Sequence, residues 1–140
     1  MNQRKIIVTL VALLMLAPLA VQAGVVVIAN DSVPATSLSA GDLQSIFLGR
    51  QSSWSDGSAI SPAVLGGGPV AEEFLKTYVK KSPSQFQAFW KKALFTGTGT
   101  PPEEVGSDAA MLEYVAATAG AIGFISDATA ADGVEVLTVE

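Results

Sequence analysis

Short apolar runs separated by turn-forming residues predict four strands along the chain. Val25–Ala29 is a continuous β-branched run, which is typical of a buried strand near the centre of a sheet. Residues 59–65 predict a second strand, and Pro62 favours a position at the sheet edge because proline has no N–H for a strand partner. Residues 121–125 and 134–139 predict two closing strands.

Capping signals and apolar stripes predict helices between these strands. The predicted helices begin at four places in the sequence: Ser39, Pro69, Ser82 and Ser107. In the third helix, Phe86, Phe89 and Trp90 form an aromatic stripe that we interpret as core packing. The order of elements, βα-βα-α-α-ββ, predicts an α/β domain with a mostly parallel or mixed sheet.

The first 23 residues show the three-part pattern of a secretory signal peptide. Arg4 and Lys5 form a charged start, residues 6–17 form an apolar run, and small residues precede a cleavage point after Ala23. We expect cleavage there, which leaves residues 24–140 as one domain in the periplasm or outside the cell, without membrane insertion. An uncleaved membrane anchor is the alternative, although a proline and a glutamine interrupt the apolar stretch that it would need.

The composition removes several classes of function. The chain has 8 Lys+Arg, 13 Asp+Glu and a formal net charge of −5, whereas nucleic-acid binding usually needs a basic face. It has no His and no Cys, which removes thiol nucleophiles, histidine bases, disulfides and ordinary zinc sites. A helix dipole and an exposed segment explain the acidic pairs Glu72/Glu73 and Glu103/Glu104. We therefore expect a protein that is not an enzyme, with no catalytic residues, metal, cofactor or nucleic-acid partner.

A run of three glycines is the strongest candidate for a binding site. It lies between the second predicted strand and the helix that begins at Pro69, where backbone N–H groups and the helix dipole can bind a small anion. We therefore name Gly66, Gly67, Gly68 and Val70 as candidate ligand-binding residues. The same glycines can also serve only to reverse the chain. Nucleotide binding is disfavoured because the loop lacks the Lys and Ser/Thr of a P-loop.

A cluster of lysines follows this loop on two predicted helices: Lys76, Lys80, Lys81, Lys91 and Lys92. One interpretation is an ordinary solvated surface, in which lysines near helix C-termini interact with the helix dipole. The other interpretation is a docking patch on an otherwise acidic protein. The sequence leaves both open.

Four stretches carry a recognisable combination of residues. They are residues 43–49 (LQSIFLG) followed by Trp54 and Asp56-Gly57, then 89–97 (FWKKALFTG), 99–102 (GTPP) and 118–125 (TAGAIGFI). In this order they resemble the phosphate-binding proteins of bacterial ABC transporters, and more narrowly their short secreted relatives that carry only part of the usual two-lobed molecule. The resemblance implies a single lobe of a type 2 periplasmic-binding-protein fold, with a mixed sheet flanked by about four helices.

The glycine loop departs from the pattern of this family. When the loop is aligned on Phe74, the family's phosphate sequence (Arg-Ser-Asp-Gly-Ser-Gly-Thr-Thr) retains only Gly67 in kind, and Pro69 removes one backbone N–H. Phosphate is strongly hydrated, so binding it without an arginine or hydroxyl donors is costly. The resemblance therefore supports the fold well and tight phosphate binding poorly.

Two functions are compatible with these observations. The first is a secreted solute-binding-like protein that binds phosphate or another small inorganic anion. The second is an accessory or protein-interaction module that has lost its ligand and docks on a membrane transporter, a sensor protein or another copy of itself. The resemblance favours the first.

Overall fold

A computed structural model of the chain describes residues 24–140, so the predicted signal peptide at residues 1–23 lies outside the described residues. The strands are β1 (Val25–Ala29), β2 (Ser37–Leu38), β3 (Ser61–Leu65), β4 (Glu103–Val105), β5 (Ala121–Ser126) and β6 (Glu135–Val139). The helices are α1 (Ala40–Phe47), α2 (Pro69–Phe74), α3 (Pro83–Thr96) and α4 (Asp108–Ala117), and a π-helical segment (Leu75–Val79) directly follows α2.

The strands form one mixed sheet in the order β2-β6-β1-β5-β3-β4. Strand β1 pairs antiparallel with both β5 and β6, which confirms the predicted central strand. Strand β3 pairs parallel with β5 on one side and with β4 on the other. The predicted α/β fold with a mixed sheet is therefore confirmed.

The predicted edge position is wrong for strand β3 as a whole, which has a paired strand on each side, but at Pro62 itself only the β5 side is paired. The N–H of Ser61 donates to the Gly120 carbonyl on the β5 side, so the nitrogen of the next residue, Pro62, faces the β4 side. Strand β4 pairs with β3 only from Ala63 onward. Proline is tolerated here because β4 begins only opposite Ala63, so no strand partner needs the N–H that Pro62 lacks.

The two faces of the sheet bury separate apolar clusters. Helices α1, α2 and α3 cover one face, and their buried side chains pack on Val27, Val64 and Phe124. Helix α4 covers the other face through Met111 and Val115. Because side chains alternate along a strand, neighbouring residues of the central strands belong to different clusters. The result is a helix–sheet–helix sandwich in which the carboxyl end of β3 opens between α2, α3 and β4.

The capping boxes predicted from the sequence are present. The Asp42 N–H donates to Ser39 Oγ at 3.0 Å, and the Ser39 N–H donates back to the Asp42 carboxylate at 3.1 Å. Ser82 and Gln85 make the same reciprocal pair at the start of α3. These bonds satisfy N–H groups that a helix start otherwise leaves unpaired. The starts of α1 and α3 were therefore correctly predicted from local sequence.

The π-helical segment ends at a lysine in a strained backbone conformation. Lys80 has φ 61° and ψ 36°, which is the left-handed region, and its N–H donates to the Leu75 carbonyl. Glycine usually occupies such a position because it lacks the Cβ that makes the conformation costly. The sequence predicted a helix ending near Lys80 and gave no sign of the wider π turn.

We expect Lys80→Gly to raise the free energy of unfolding by about 1 kcal/mol. The left-handed conformation costs a non-glycine residue about 1–2 kcal/mol, and glycine removes this cost. Part of the gain is offset because glycine loses more conformational entropy on folding. Urea denaturation followed by circular dichroism measures the change. Lys80→Ala removes the same charge and keeps the strain, so it should give no gain. An equal gain in both variants would assign the effect to charge instead of backbone strain.

Across residues 24–140, no helix is long and apolar enough to cross a bilayer.

Candidate functional site

A cavity of about 230 Å³ opens at the carboxyl end of β3. Its walls are mainly apolar and come from β3, α2, the π-helical segment, α3 and the segment before β4: Leu65, Leu75, Phe86, Trp90, Leu94, Pro101 and Pro102. Gln87, Lys91 and Glu104 contribute polar groups to the lining. A small apolar pocket with a few polar groups is the usual form of a ligand site.

The four candidate residues of the glycine loop divide into two pairs. Gly66 and Gly67 line the cavity, whereas Gly68 and Val70 do not. Gly68 is the N-cap of α2 with φ 92°, a conformation that favours glycine, and Val70 is half-buried in the first turn of that helix. All four lie at the same strand-to-helix junction, and their role in binding stays a prediction.

The hydrogen bonds of this junction determine which amides can reach a ligand. The Gly66 N–H donates to the Val105 carbonyl at 2.9 Å, so β4 already uses it. The first helical bond of α2 runs from the Glu72 N–H to the Gly68 carbonyl. Within the described part of the chain, the N–H groups of Gly67, Gly68 and Val70 have no recorded acceptor. Three backbone donors at this junction are therefore without a protein acceptor, and one of them belongs to Gly67, which lines the cavity.

A carboxylate that the sequence analysis did not assign to the site lies against the loop. A Cβ added at Gly66 would lie 2.8 Å from Oε1 of Glu104. A negative charge at this place opposes the binding of any anion at the free amides. Lys91, on the α3 wall of the cavity, supplies a charge of the opposite sign.

Sequence reasoning missed Glu104 because the contact depends on the pairing of β4 with β3. Val64 pairs with Glu104 in this register, and the two residues are far apart in the chain. A strand of three residues with two exposed glutamates carries no periodicity that could have revealed it. Lys91 was named in the lysine cluster, but its position at the cavity was not predicted.

Trp90 forms a fixed wall of the cavity. Its indole N–H donates to the Phe47 carbonyl at 3.3 Å, and only 6% of the residue is exposed. A Cβ at Gly49 would lie 2.8 Å from the indole ring, and one at Gly99 would lie 3.2 Å from it. Two glycines thus allow the backbone to pack closely on the ring. The aromatic stripe of α3 is core packing, as predicted, and it also shapes the cavity.

Two groups with displaced pKa values lie away from this cavity. Hydrogen bonds from the Ser58 side chain and then the Ser58 backbone lower the pKa of the exposed Asp56. Burial, and secondarily the negative charge of Glu103, raises the pKa of Tyr114. Among residues 24–140, no group of three or more acidic side chains could hold a metal ion. Neither Asp56 nor Tyr114 lines the cavity, whose mainly apolar walls are suited to binding a small molecule.

The fold of this chain is that of a single lobe of a periplasmic-binding-protein fold. A protein from Clostridium perfringens assigned to the phosphate ABC transporter substrate-binding proteins and solved with bound phosphate matches with a TM-score of 0.67 at 16% identity, over 84% of this chain and 45% of that one. PstS from Borrelia burgdorferi matches with a TM-score of 0.64 at 16% identity, over 84% and 47%. A phosphate-binding protein from Stenotrophomonas maltophilia matches with a TM-score of 0.59 at 19% identity, over 84% and 39%.

The chain therefore spans less than half the length of the solved proteins it is similar to. No family model and no curated protein matches it. At these low identities the likeness concerns the fold alone. It confirms the resemblance drawn from the sequence as a likeness of architecture, and it agrees with a single lobe.

Proposed function

We propose that this chain is a small exported solute-binding-like protein, related to the phosphate-binding component of ABC transporters, that binds a small anion at residues 66–70. The observation that carries this proposal is the set of free N–H groups of Gly67, Gly68 and Val70 at a junction where Gly67 lines a cavity. They lie in a fold shared with proteins that are named for binding phosphate. The signal-peptide pattern at residues 1–23 supports export.

The anion that fits best has an apolar body. No Arg, Ser or Thr is among the described residues that line the cavity, so inorganic phosphate would lose much of its hydration without strong replacement donors. An organic anion would place its charged group at the free amides and near Lys91, and its apolar part against Trp90 and Phe86. Burial of that part supplies binding energy that phosphate lacks.

Titration calorimetry on the purified chain with phenyl phosphate, inorganic phosphate and sulfate tests this function. We expect phenyl phosphate to bind at least about tenfold more tightly than inorganic phosphate, because burial of a ring contributes more than the 1.4 kcal/mol that a factor of ten represents. Absence of heat with all three compounds would contradict a solute-binding role. It would favour the ligand-free accessory module that docks on a transporter or sensor protein.

Three variants at two positions of the site make this experiment more specific. Glu104→Gln should tighten the binding of phenyl phosphate about fivefold, because it removes a repulsive charge close to the loop. Gly67→Asp should abolish binding by adding a charge at the free amides, and Gly67→Asn has the same shape without the charge. An added Cβ at Gly67 meets no atom within 4 Å, and its φ of +159° strains both variants alike, so the Asn variant controls for the backbone change. Equal loss in the Asp and Asn variants would assign the effect to the altered backbone at Gly67, and unchanged binding in both would place the anion elsewhere.

A further inference from the structure

The basic residues of this protein are concentrated on one helical hairpin. Residues 24–140 contain six Lys or Arg residues against thirteen Asp or Glu residues, and five of the six lie between positions 76 and 92. Helix α3 itself contains no acidic residue within Pro83–Thr96. This hairpin, residues 69–96, carries five lysines against Glu72 and Glu73, so it has a net positive charge on an acidic protein.

The outward face of α3 combines these lysines with an exposed aromatic ring. Phe86, Trp90 and Ala93 face the core, and Phe95 follows Phe86 by about two and a half turns, which directs it away from the core. Phe95 is 95% exposed. A single exposed apolar side chain is ordinary, but Phe95 lies next to the exposed Leu94 and close to lysines, a combination typical of a contact surface.

A continuous stripe joins the lysines to this ring. Lys81 Nζ lies 5.6 Å from the centre of the Phe89 ring. Lys92 follows Phe89 by three positions and Phe95 follows Lys92 by three, so each side chain is a neighbour of the next along the surface of α3. Lys76, Lys80 and Lys81 line a depression at the beginning of the stripe, where the carboxylate of Glu72 offsets one of their three charges. We call Lys80, Lys81, Lys92 and Phe95 the basic stripe.

We propose that the basic stripe binds the surface of a bilayer that contains anionic phospholipids. Its lysines are complementary to the phosphate groups of such a surface, and each lysine near it strengthens binding about fivefold. Phe95 projects outward from a convex helix, so it can enter the apolar layer just below the phosphates, while the lysine side chains bend back to the level of the headgroups. A protein partner would instead need a pocket matched to this one ring.

This inference does not depend on the anion site, because the stripe variants below leave residues 66–70 and the cavity unchanged. Lys91 is left out of the stripe variants because it lines the cavity. A failure to bind phenyl phosphate and a failure to bind membranes are therefore separate results.

Co-flotation of the purified chain with vesicles tests the proposal. We expect binding to vesicles of phosphatidylcholine mixed with phosphatidylglycerol that is at least about tenfold tighter than binding to phosphatidylcholine alone, and that weakens at high salt. Equal binding to both kinds of vesicle, or binding to neither, would overturn it. Capture by polyglutamate without any binding to the mixed vesicles would also overturn it and would indicate an acidic protein partner.

Matched variants locate the surface. Lys92→Glu should lower vesicle binding about tenfold or more, since it removes one attraction and adds one repulsion. Arg50→Glu makes the same charge change at an exposed residue outside the stripe and should lower it much less. In Phe95→Trp, an exposed indole should shift its fluorescence to the blue when the vesicles are added. Equal losses in the Lys92 and Arg50 variants, or no spectral shift, would contradict docking through the stripe.

Discussion

Replacing Gly120 by alanine is expected to lower the free energy of unfolding by about 3–5 kcal/mol. Gly120 has φ +75°, and an added Cβ would overlap the carbonyl oxygen of Ala59. The backbone cannot move away easily, because the Gly120 carbonyl accepts from the Trp54 indole at 3.0 Å and the Gly120 N–H donates to Ser32 Oγ at 2.9 Å. Thermal and urea denaturation of the purified variant measure the loss.

Gly133→Ala is the matched control for this substitution. Gly133 has a similar φ of +77°, and an added Cβ there meets nothing within 4 Å. It should cost only the backbone strain of about 1 kcal/mol. If the two variants lost the same stability, the overlap with Ala59 would not be the cause at Gly120.

Replacing Phe74 by alanine is expected to lower the free energy of unfolding by about 3–5 kcal/mol through the cavity that it leaves. Phe74 is fully buried, with its ring stacked 3.9 Å from Phe124 and edge-on to Phe47 at 4.8 Å. These three rings join α1, α2 and the centre of the sheet. The same denaturation experiments measure the change.

Phe95→Ala removes a phenyl ring of the same size from the protein surface, so it is the control for Phe74→Ala. Because Phe95 is almost fully exposed, its loss should change stability by less than about 0.5 kcal/mol. A large loss in this variant would mean that Phe95 packs within the protein.

The Phe74 variant should also weaken phenyl phosphate binding, because Phe124 lines the cavity and would lose the ring that supports it.

Local sequence signals predicted the elements that frame the site. The β-branched run of Val25–Ala29 gave the central strand, and the reciprocal Ser39 and Ser82 capping boxes gave the starts of α1 and α3. The glycine run was correctly placed between a strand and a helix. These signals succeed because each depends on residues within about one helical turn or one strand.

Contacts between distant residues escaped the sequence. The π turn before Lys80 and the strand at Glu103–Val105 have no sequence pattern of their own. The apolar cavity forms only when α2, α3 and β4 meet at the end of β3. The sequence therefore predicted a loop able to offer N–H groups, but not the walls around it.

The sequence by itself determined the fold class, the central strand, the helix starts and the glycine junction of this protein. Tertiary structure alone decided that Gly66 gives its N–H to β4, that Glu104 stands beside the loop and that Phe95 projects into solvent. The reason is physical: caps and apolar runs act between near neighbours, whereas charge, free donors and cavity shape at a site depend on which remote segments the packed core brings together.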